Sequence, residues 1–248
     1  MKPLKMHYTN KPLISIITVV YNAFGTIEDC IKSISGQTYK NIQHVIIDGL
    51  SSDGTLEVIN GLKTPNTICI SEKDSGIYNA MNKGLALAEG DWALFLGADD
   101  ILAYPGIIEE LIPHFIHPES IYYGNSYIKT INRLYNGKVN RYSIALGNVS
   151  HQAIFYPKSI YKQKIYDESY RIFADHIYNI ELYSKFGSQF VYLPKLISIY
   201  SGIGVSSNTN DEKYDRTLIN VIINNFGYIC GIYVWLRRTI YNTLNYNN

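Results

Sequence analysis

Cysteine is scarce in this 248-residue chain: Cys30, Cys69 and Cys230 are odd in number and far apart. Such a set supports neither a disulfide framework nor a zinc knuckle, and it points to a reducing compartment. An excess of charge of either sign is also missing, with 22 Lys and Arg against 21 Asp and Glu. That balance excludes a nucleic-acid footprint, which would show as a strongly basic domain or stripe. No apolar run approaches the ~20 residues that span a bilayer. The stretch 13–20 is too short and too far into the chain for a signal peptide, so a cytoplasmic protein is expected. Glycine-rich nucleotide loops are absent as well. After the first apolar run the chain reads Tyr21-Asn22-Ala23-Phe24-Gly25, not Gly-x-Gly-x-x-Gly, and no Gly-Lys-Ser/Thr loop occurs. Nicotinamide oxidoreductases and P-loop hydrolases are thereby disfavoured. What remains is nucleotide binding that relies on a metal for its phosphates.

What is present is a regular alternation. Residues 13–20 are β-branched and apolar, and read as a buried strand. Thr26, with Asp29 three residues on, can cap a helix whose face is Ile27, Cys30, Ile31 and Ile34, ended by Gly36. Strand 42–47 follows, then a helix with Leu56, Ile59 and Leu62 on one face, strand 67–71, and a helix traced by Ile77, Ala80, Met81, Gly84, Leu85 and Ala88. The run 92–100 reads as another strand, ending on Asp99 and Asp100. Strands and helices in this order predict an α/β fold, a mostly parallel Rossmann-like sheet flanked by helices.

Ligands of such sheets sit beyond the carboxyl ends of the strands. Thr18, Tyr21, Asp48, Asp99 and Asp100 all lie at or just after strand ends. Asp48 can meet a nucleoside, although Asp48-Gly49 also suits a plain turn. Successive strand residues point in opposite directions, so Asp99 and Asp100 divide between a neighbouring hydroxyl or backbone group and a bound cation. A turn or helix cap is the alternative for the pair.

Four ordered segments resemble glycosyltransferase family 2. They are Ser15-Ile16-Ile17-Thr18-Val19-Val20-Tyr21-Asn22, Asp48-Gly49-Leu50-Ser51-Ser52-Asp53-Gly54-Thr55, Glu72-Lys73-Asp74-Ser75-Gly76-Ile77-Tyr78-Asn79-Ala80-Met81-Asn82-Lys83-Gly84 and Gly97-Ala98-Asp99-Asp100. The resemblance runs from residue 12 to about 200. It implies an inverting nucleotide-diphospho-sugar transferase of GT-A type. Thr18 and Tyr21 would line the uridine pocket, Asp48 would bind uracil, Asp99 would meet the ribose or phosphate side, and Asp100 would ligate manganese or magnesium. Asp74 and Lys83 would support the nucleotide. His151-Gln152 matches a segment of this branch and would lie under the donor sugar or diphosphate. Asp175 falls at the position of the catalytic base, where an Asp also suits a helix N-cap. The chain departs from the family's pattern at Asn79, more often an acid, at Met81, where other branches carry Arg, and at Ile177, often a second acid.

The second half is less regular. Pro105 is predicted to open a helix with Ile108, Leu111, Ile112 and Phe115 inward, and Pro113 and Pro118 place His114 and His117 at an irregular helix end. The tyrosine-rich residues that follow suit an acceptor lobe. Residues 201–210 read as a loop able to close over a nucleotide, and 218–244 as a helical tail that can meet a membrane surface, a second subunit or its own domain. The predicted organisation is a transferase domain over 12–210, split into a nucleotide-binding half (12–100) and an acceptor half (101–210), with a tail over 211–248. The expected reaction moves a sugar from a UDP-sugar to a glycan or lipid-linked saccharide in cell-surface polysaccharide assembly, in the cytoplasm or on the inner face of its membrane. The alternatives are a sugar-phosphate nucleotidyltransferase and a non-catalytic nucleotide-sugar-binding module.

Overall fold

A computed structural model describes residues 11–135, 137–202 and 211–245. Strands β1 (Ile14–Val20), β2 (Ile42–Asp48), β3 (Thr67–Ser71) and β4 (Trp92–Phe95) run parallel in the order β3-β2-β1-β4. Alternate residues enter two separate cores. Ile17, Val45, Ile47 and Phe95 pack into one, and Ile14, Ile16, Ile46 and Leu94 into the other. A sheet covered on both faces requires apolar side chains at both parities, which is why the strands read as unbroken runs.

Helices α1 (Ile27–Ser35), α2 (Thr55–Leu62) and α3 (Ile77–Leu87) connect these strands. The buried residues of α1 are the predicted Ile27, Cys30, Ile31 and Ile34. Its N-cap differs from the reading: Thr26 makes no side-chain cap bond, and its hydroxyl donates to the Ala23 carbonyl at 3.4 Å. Gly84 lets α3 lie directly on β1, since a Cβ there would stand 2.3 Å from Ile17 Cγ2.

Beyond β4 come β5 (Ile101–Leu102), α4 (Ile107–Leu111), β6 (Ile121–Ile128), β7 (Arg133–Tyr135), α5 (Arg141–Leu146), β8 (Ile154–Pro157), α6 (Lys158–Tyr161), α7 (Ala174–Phe186) and β9 (Phe190–Tyr200). Among the described residues nine strands form one sheet, which continues from β4 as β8-β6-β9-β5 with β7 beside β6. In this half only β6 and β9 pair in parallel; β4 with β8, β8 with β6, β6 with β7, and β5 with β9 are antiparallel. The sheet is thus parallel up to β4 and mixed after it, because antiparallel neighbours need no crossover helix. Pro105 does not open α4. It sits in a turn before the helix, where the Tyr104 carbonyl accepts from Ile107 N at 3.2 Å.

The tail is two helices, α8 (Glu212–Phe226) and α9 (Tyr228–Asn245), parted at Gly227, whose φ of 84° no helix continues. α8 begins earlier than predicted, capped by Asp211 accepting from Tyr214 N at 3.0 Å. Leu218, Ile222, Cys230 and Val234 join Ile177 and Ile180 of α7 in one core, so one side of the tail packs on its own domain. The loop read as a lid lies, from residue 203 to 210, outside the described residues. Among the described residues no helix is long and apolar enough to cross a membrane.

Candidate active site

The carboxyl ends of β1, β2 and β3 form a rim. The loops after β1 and β2 are stitched together: Asn22 N donates to Ser51 Oγ (2.8 Å), Ser52 N to Asn22 Oδ1 (2.9 Å), Ala23 N to Thr55 Oγ1 (2.8 Å) and Phe24 N to Asp53 Oδ2 (3.0 Å). Asn22 and Leu50 hold φ of 48° and 62°, a left-handed backbone that costs a side chain like leucine's. Gly49 brings the rim's functional groups together, since a Cβ there would stand 2.7 Å from Asp74 Oδ2 and 3.4 Å from Tyr21 Cδ2. Tyr21 is exposed above this point.

Asp48 is wholly buried and accepts from Ser71 Oγ (2.5 Å) and Ser51 N (3.1 Å). It carries the turn role weighed for it, holding the loop on which Gly49 sits. Asp74 Oδ1 accepts from Gly76 N at 3.1 Å, and Lys83 Nζ reaches the Glu72 carboxylate (2.7 Å) and the Lys73 carbonyl (2.8 Å), which fixes the segment leading into α3. Thr18 does not line the pocket. Its hydroxyl is fully buried beneath α1, 3.0 Å from His44 Nε2 and 3.8 Å from Cys30 Sγ. Burial pushes His44 down to about 3, so the ring beside Thr18 is neutral.

A turn ends the β4 segment: Asp100 N donates to the Gly97 carbonyl at 3.1 Å. Asp99 is exposed, whereas Asp100 is 3% exposed. Asp99 accepts from the Ser201 hydroxyl. Asp100 Oδ2 accepts from Gln152 Nε2 (3.0 Å) and Gly97 N (3.1 Å), and Oδ1 faces Ser201 N at 3.4 Å. Gly97 leaves room for this carboxylate, since a Cβ there would stand 2.5 Å from Asp100 Oδ2 and the side chain would have to shift. Burial, and then the charge of Asp99, push Asp100 up to about 6 despite the Gln152 bond. Two close carboxylates short of counter-charge suit a divalent cation that takes its other ligands from a phosphate. Among the described residues no group of three or more His, Cys, Asp or Glu forms an all-protein metal cage.

The third centre is Asp175, in the first turn of α7 and 7% exposed. Phe173, not Asp175, occupies the N-cap. Tyr78 Oη (2.9 Å) and His176 N (2.9 Å) donate to Oδ1, while Asn148 Nδ2 (2.7 Å) and His151 Nδ1 (3.1 Å) meet Oδ2. Burial alone would raise its pKa, but the His151 hydrogen bond and charge, the Tyr78 hydroxyl and His176 together hold it below the usual carboxylate range. His151 shifts the other way. Burial pulls the imidazole down, and the Asp175 bond and charge, with Asp100 and Asp99 beyond, carry it above the ordinary histidine value. Its Nε2 has no hydrogen-bond partner among the described residues, and the ring is 27% exposed.

His151 and Gln152 are consecutive in a single 3-10 turn, His151–Ala153. One reaches Asp175 and the other Asp100, so this turn ties the two carboxylate centres together. Beside it, a cavity of about 180 Å³ is lined by Tyr123, Tyr135, Lys138, Ser143, Asn148 and Ser150 among others. Asn148 therefore belongs both to the cavity wall and to the Asp175 cluster.

Tyr78, Asn148 and Ser201 carry no signal of their own in the sequence, whereas Gln152 is picked out there beside His151. Tyr78 and Gln152 lie inside the segments that carry the family resemblance, and that was the available signal. Where the chain departs from the family, Asn79 Nδ2 binds Glu168 Oε2 at 3.0 Å, and Asn82 Nδ2 binds Glu168 Oε1 at 2.9 Å, clamping the approach to α7 onto α3. Met81 and Ile177 are both core residues.

Residues 15–187 match glycosyl transferase family 2. A PGL/p-HBAD biosynthesis glycosyltransferase of Mycobacterium bovis is 33% identical over 211 residues, which is 82% of each chain. An Escherichia coli UDP-Glc:alpha-D-GlcNAc-diphosphoundecaprenol beta-1,3-glucosyltransferase, WfaP, is 37% identical over 120 residues, 47% of each chain. Among solved structures, S. aureus TarS 1-349 in complex with UDP-GlcNAc superposes with a TM-score of 0.69 at 18% identity, covering 86% of this chain and 67% of that one. The mannosyltransferase PcManGT from Pyrobaculum calidifontis, in complex with GDP-Man and Mn2+, gives 0.60 at 16% identity over 80% of this chain and 59% of that one. The chain spans 40% of the longer TarS structure. The family match across residues 15–187, joined to the mycobacterial relative's identity over most of both chains, shows that this protein is a glycosyltransferase of family 2 with a GT-A type fold.

Proposed function

We propose that the protein transfers a sugar, with inversion, from a UDP-sugar to a hydroxyl of a glycan or lipid-linked saccharide in cell-envelope polysaccharide assembly. The observation that carries this reading is the turn in which His151 reaches Asp175 and Gln152 reaches Asp100. It places a buried, ionised carboxylate beside a second acidic centre suited to a phosphate-bound cation, as displacement at an anomeric carbon demands. The activity of WfaP supports a UDP-sugar donor and a lipid-diphosphate acceptor, and the ligands bound to TarS and PcManGT agree with a nucleotide-sugar donor.

In this mechanism the nucleoside rests on the rim at Tyr21, with Asp74 beside it and Asp48 fixing the loop beneath. Asp100, helped by Asp99, would hold manganese or magnesium, which would supply positive charge beside the departing diphosphate. The acceptor enters from the cavity side and replaces the Asn148 amide on Asp175 Oδ2. Asp175 then takes the hydroxyl proton. His151 keeps that carboxylate charged until the proton arrives and orients it through Nδ1.

The test is UDP release from a panel of UDP-sugars with Mn2+, with and without saccharide acceptors. Asp175→Asn should retain donor binding and lose about 10²–10⁴-fold in transfer. Unchanged turnover removes Asp175 from the mechanism. Tight donor binding by the native protein with no release under any condition would make it a binding module instead.

A further inference from the structure

α9 is apolar nearly all the way round, yet the described residues of the fold cover one side of it. Cys230, Gly231 and Val234 form the buried seam against α8 and α5. On the other sides Tyr228, Ile229, Ile232, Trp235, Leu236 and Ile240 are between 47% and 79% exposed. A helix with apolar residues on every face is one that something covers on every face. Single exposed apolar side chains need no explanation, but a contiguous set of this size marks an interaction surface.

Charge selects the occupant. No Asp or Glu follows Asp215 in the sequence, and Asp215 itself is taken by Arg238 at 2.8 Å. Arg237 is exposed on the helix. Arg141 adds a second cation nearby, since its carbonyl contacts Cys230 Sγ at 3.7 Å and the next residue, Tyr142, packs edge-on against Tyr233. A second copy docked on this face would bring like charges together, whereas an anionic lipid surface would meet them with opposite charge. Tryptophan and tyrosine among aliphatic residues also suit the depth of lipid headgroups. We propose that the outer face of α9 lies in the headgroup region of an anionic bilayer, with the helix along the surface and not across it.

The placement has a consequence for the site. α5 contacts α9 and leads through Gly147 into Asn148, which lines the cavity and binds Asp175. Docking through α9 therefore sets the cavity side of Asp175 beside the lipid.

The test needs neither donor nor acceptor, so it stands apart from the proposed reaction. The protein is sedimented with phosphatidylcholine vesicles and with vesicles containing phosphatidylglycerol, and its tryptophan emission is followed. Trp92 is fully buried, so a blue shift reports Trp235. The expected result is binding that strengthens with phosphatidylglycerol, weakens with salt and shifts the emission. Arg237→Ala should weaken it about five-fold. The double variant Ile232→Glu, Leu236→Glu should lose binding at least about ten-fold while its circular dichroism is unchanged, because both side chains already face solvent. No binding by the native protein, or equal binding by the double variant, overturns the proposal. So does a dimer, seen by light scattering without lipid, that the double variant disperses.

Discussion

Asp99 and Asp100 are neighbours with opposite surroundings, one in solvent beside Ser201 and one buried on Gln152. With Asp100 pushed up to about 6 by burial and by Asp99, its protonation should govern cation binding. Above that pH the carboxylate is free to ligate. Below it a proton must first leave, so affinity for Mn2+ should be level above about pH 7 and fall about ten-fold per unit below about pH 6. Calorimetry across that span checks this, and a pH-independent affinity contradicts it. At the other centre, His151 holds the Asp175 pKa down, so His151→Ala should move the acidic limb of the pH–rate profile to higher pH. A limb that stays in place would mean that His151 does not act through Asp175. The acids themselves were legible in the sequence because they stand at strand ends or in family segments. Thr18 was misplaced because alternation alone does not tell which face a strand-end hydroxyl takes, and here it takes the His44 side. Tyr78 and Asn148 were hidden, since their bonds to Asp175 join residues 97 and 27 positions apart.

Among the elements, β3 and the buried stripe of α1 fall where the sequence places them, and β1, β2 and α3 lie within a residue or so of the reading. The near-continuous burial of β1 and β2 writes itself as apolar runs. β6 is less transparent, because its interior carries Gly124, Asn125 and Ser126 and its pairing with β9 is irregular. A Cβ at Gly124 would stand 2.9 Å from the Leu193 carbonyl, so close approach of β9 dictates a residue that looks like a turn signal. The break at Gly227 was missed for a related reason: one glycine inside a long helical pattern does not reveal its φ. Two helical glycines should respond oppositely to alanine. Gly84→Ala drives a Cβ into buried Ile17 and should cost about 1–3 kcal/mol. Gly61→Ala in α2 meets nothing within 4 Å and should gain up to about 1 kcal/mol. Urea denaturation of both variants checks the pair, and equal signs would refute the packing described for α3.

At the scale of the molecule, the rim of β1–β3 and the Asp99–Asp100 turn lie along one continuous sheet, and the His151–Ala153 turn ties Asp100 to the Asp175 cluster of α7. The parallel half, and the acids and hydroxyls at the carboxyl ends of its strands, could be read from the chain. The mixed half could not, because the order of its strands depends on pairings between distant segments. In the proposed mechanism the two carboxylate centres serve separate steps, Asp100 in cation-dependent nucleotide binding and Asp175 in proton removal. Calorimetric titration of UDP, with and without Mn2+, tests it most directly when run on the native protein, Asp99→Ala, Asp100→Ala and Asp175→Asn. Asp175→Asn should keep the native Mn2+ enhancement, Asp99→Ala should lose part of it and Asp100→Ala should lose it all. Equal enhancement in Asp100→Ala and the native protein would contradict that mechanism.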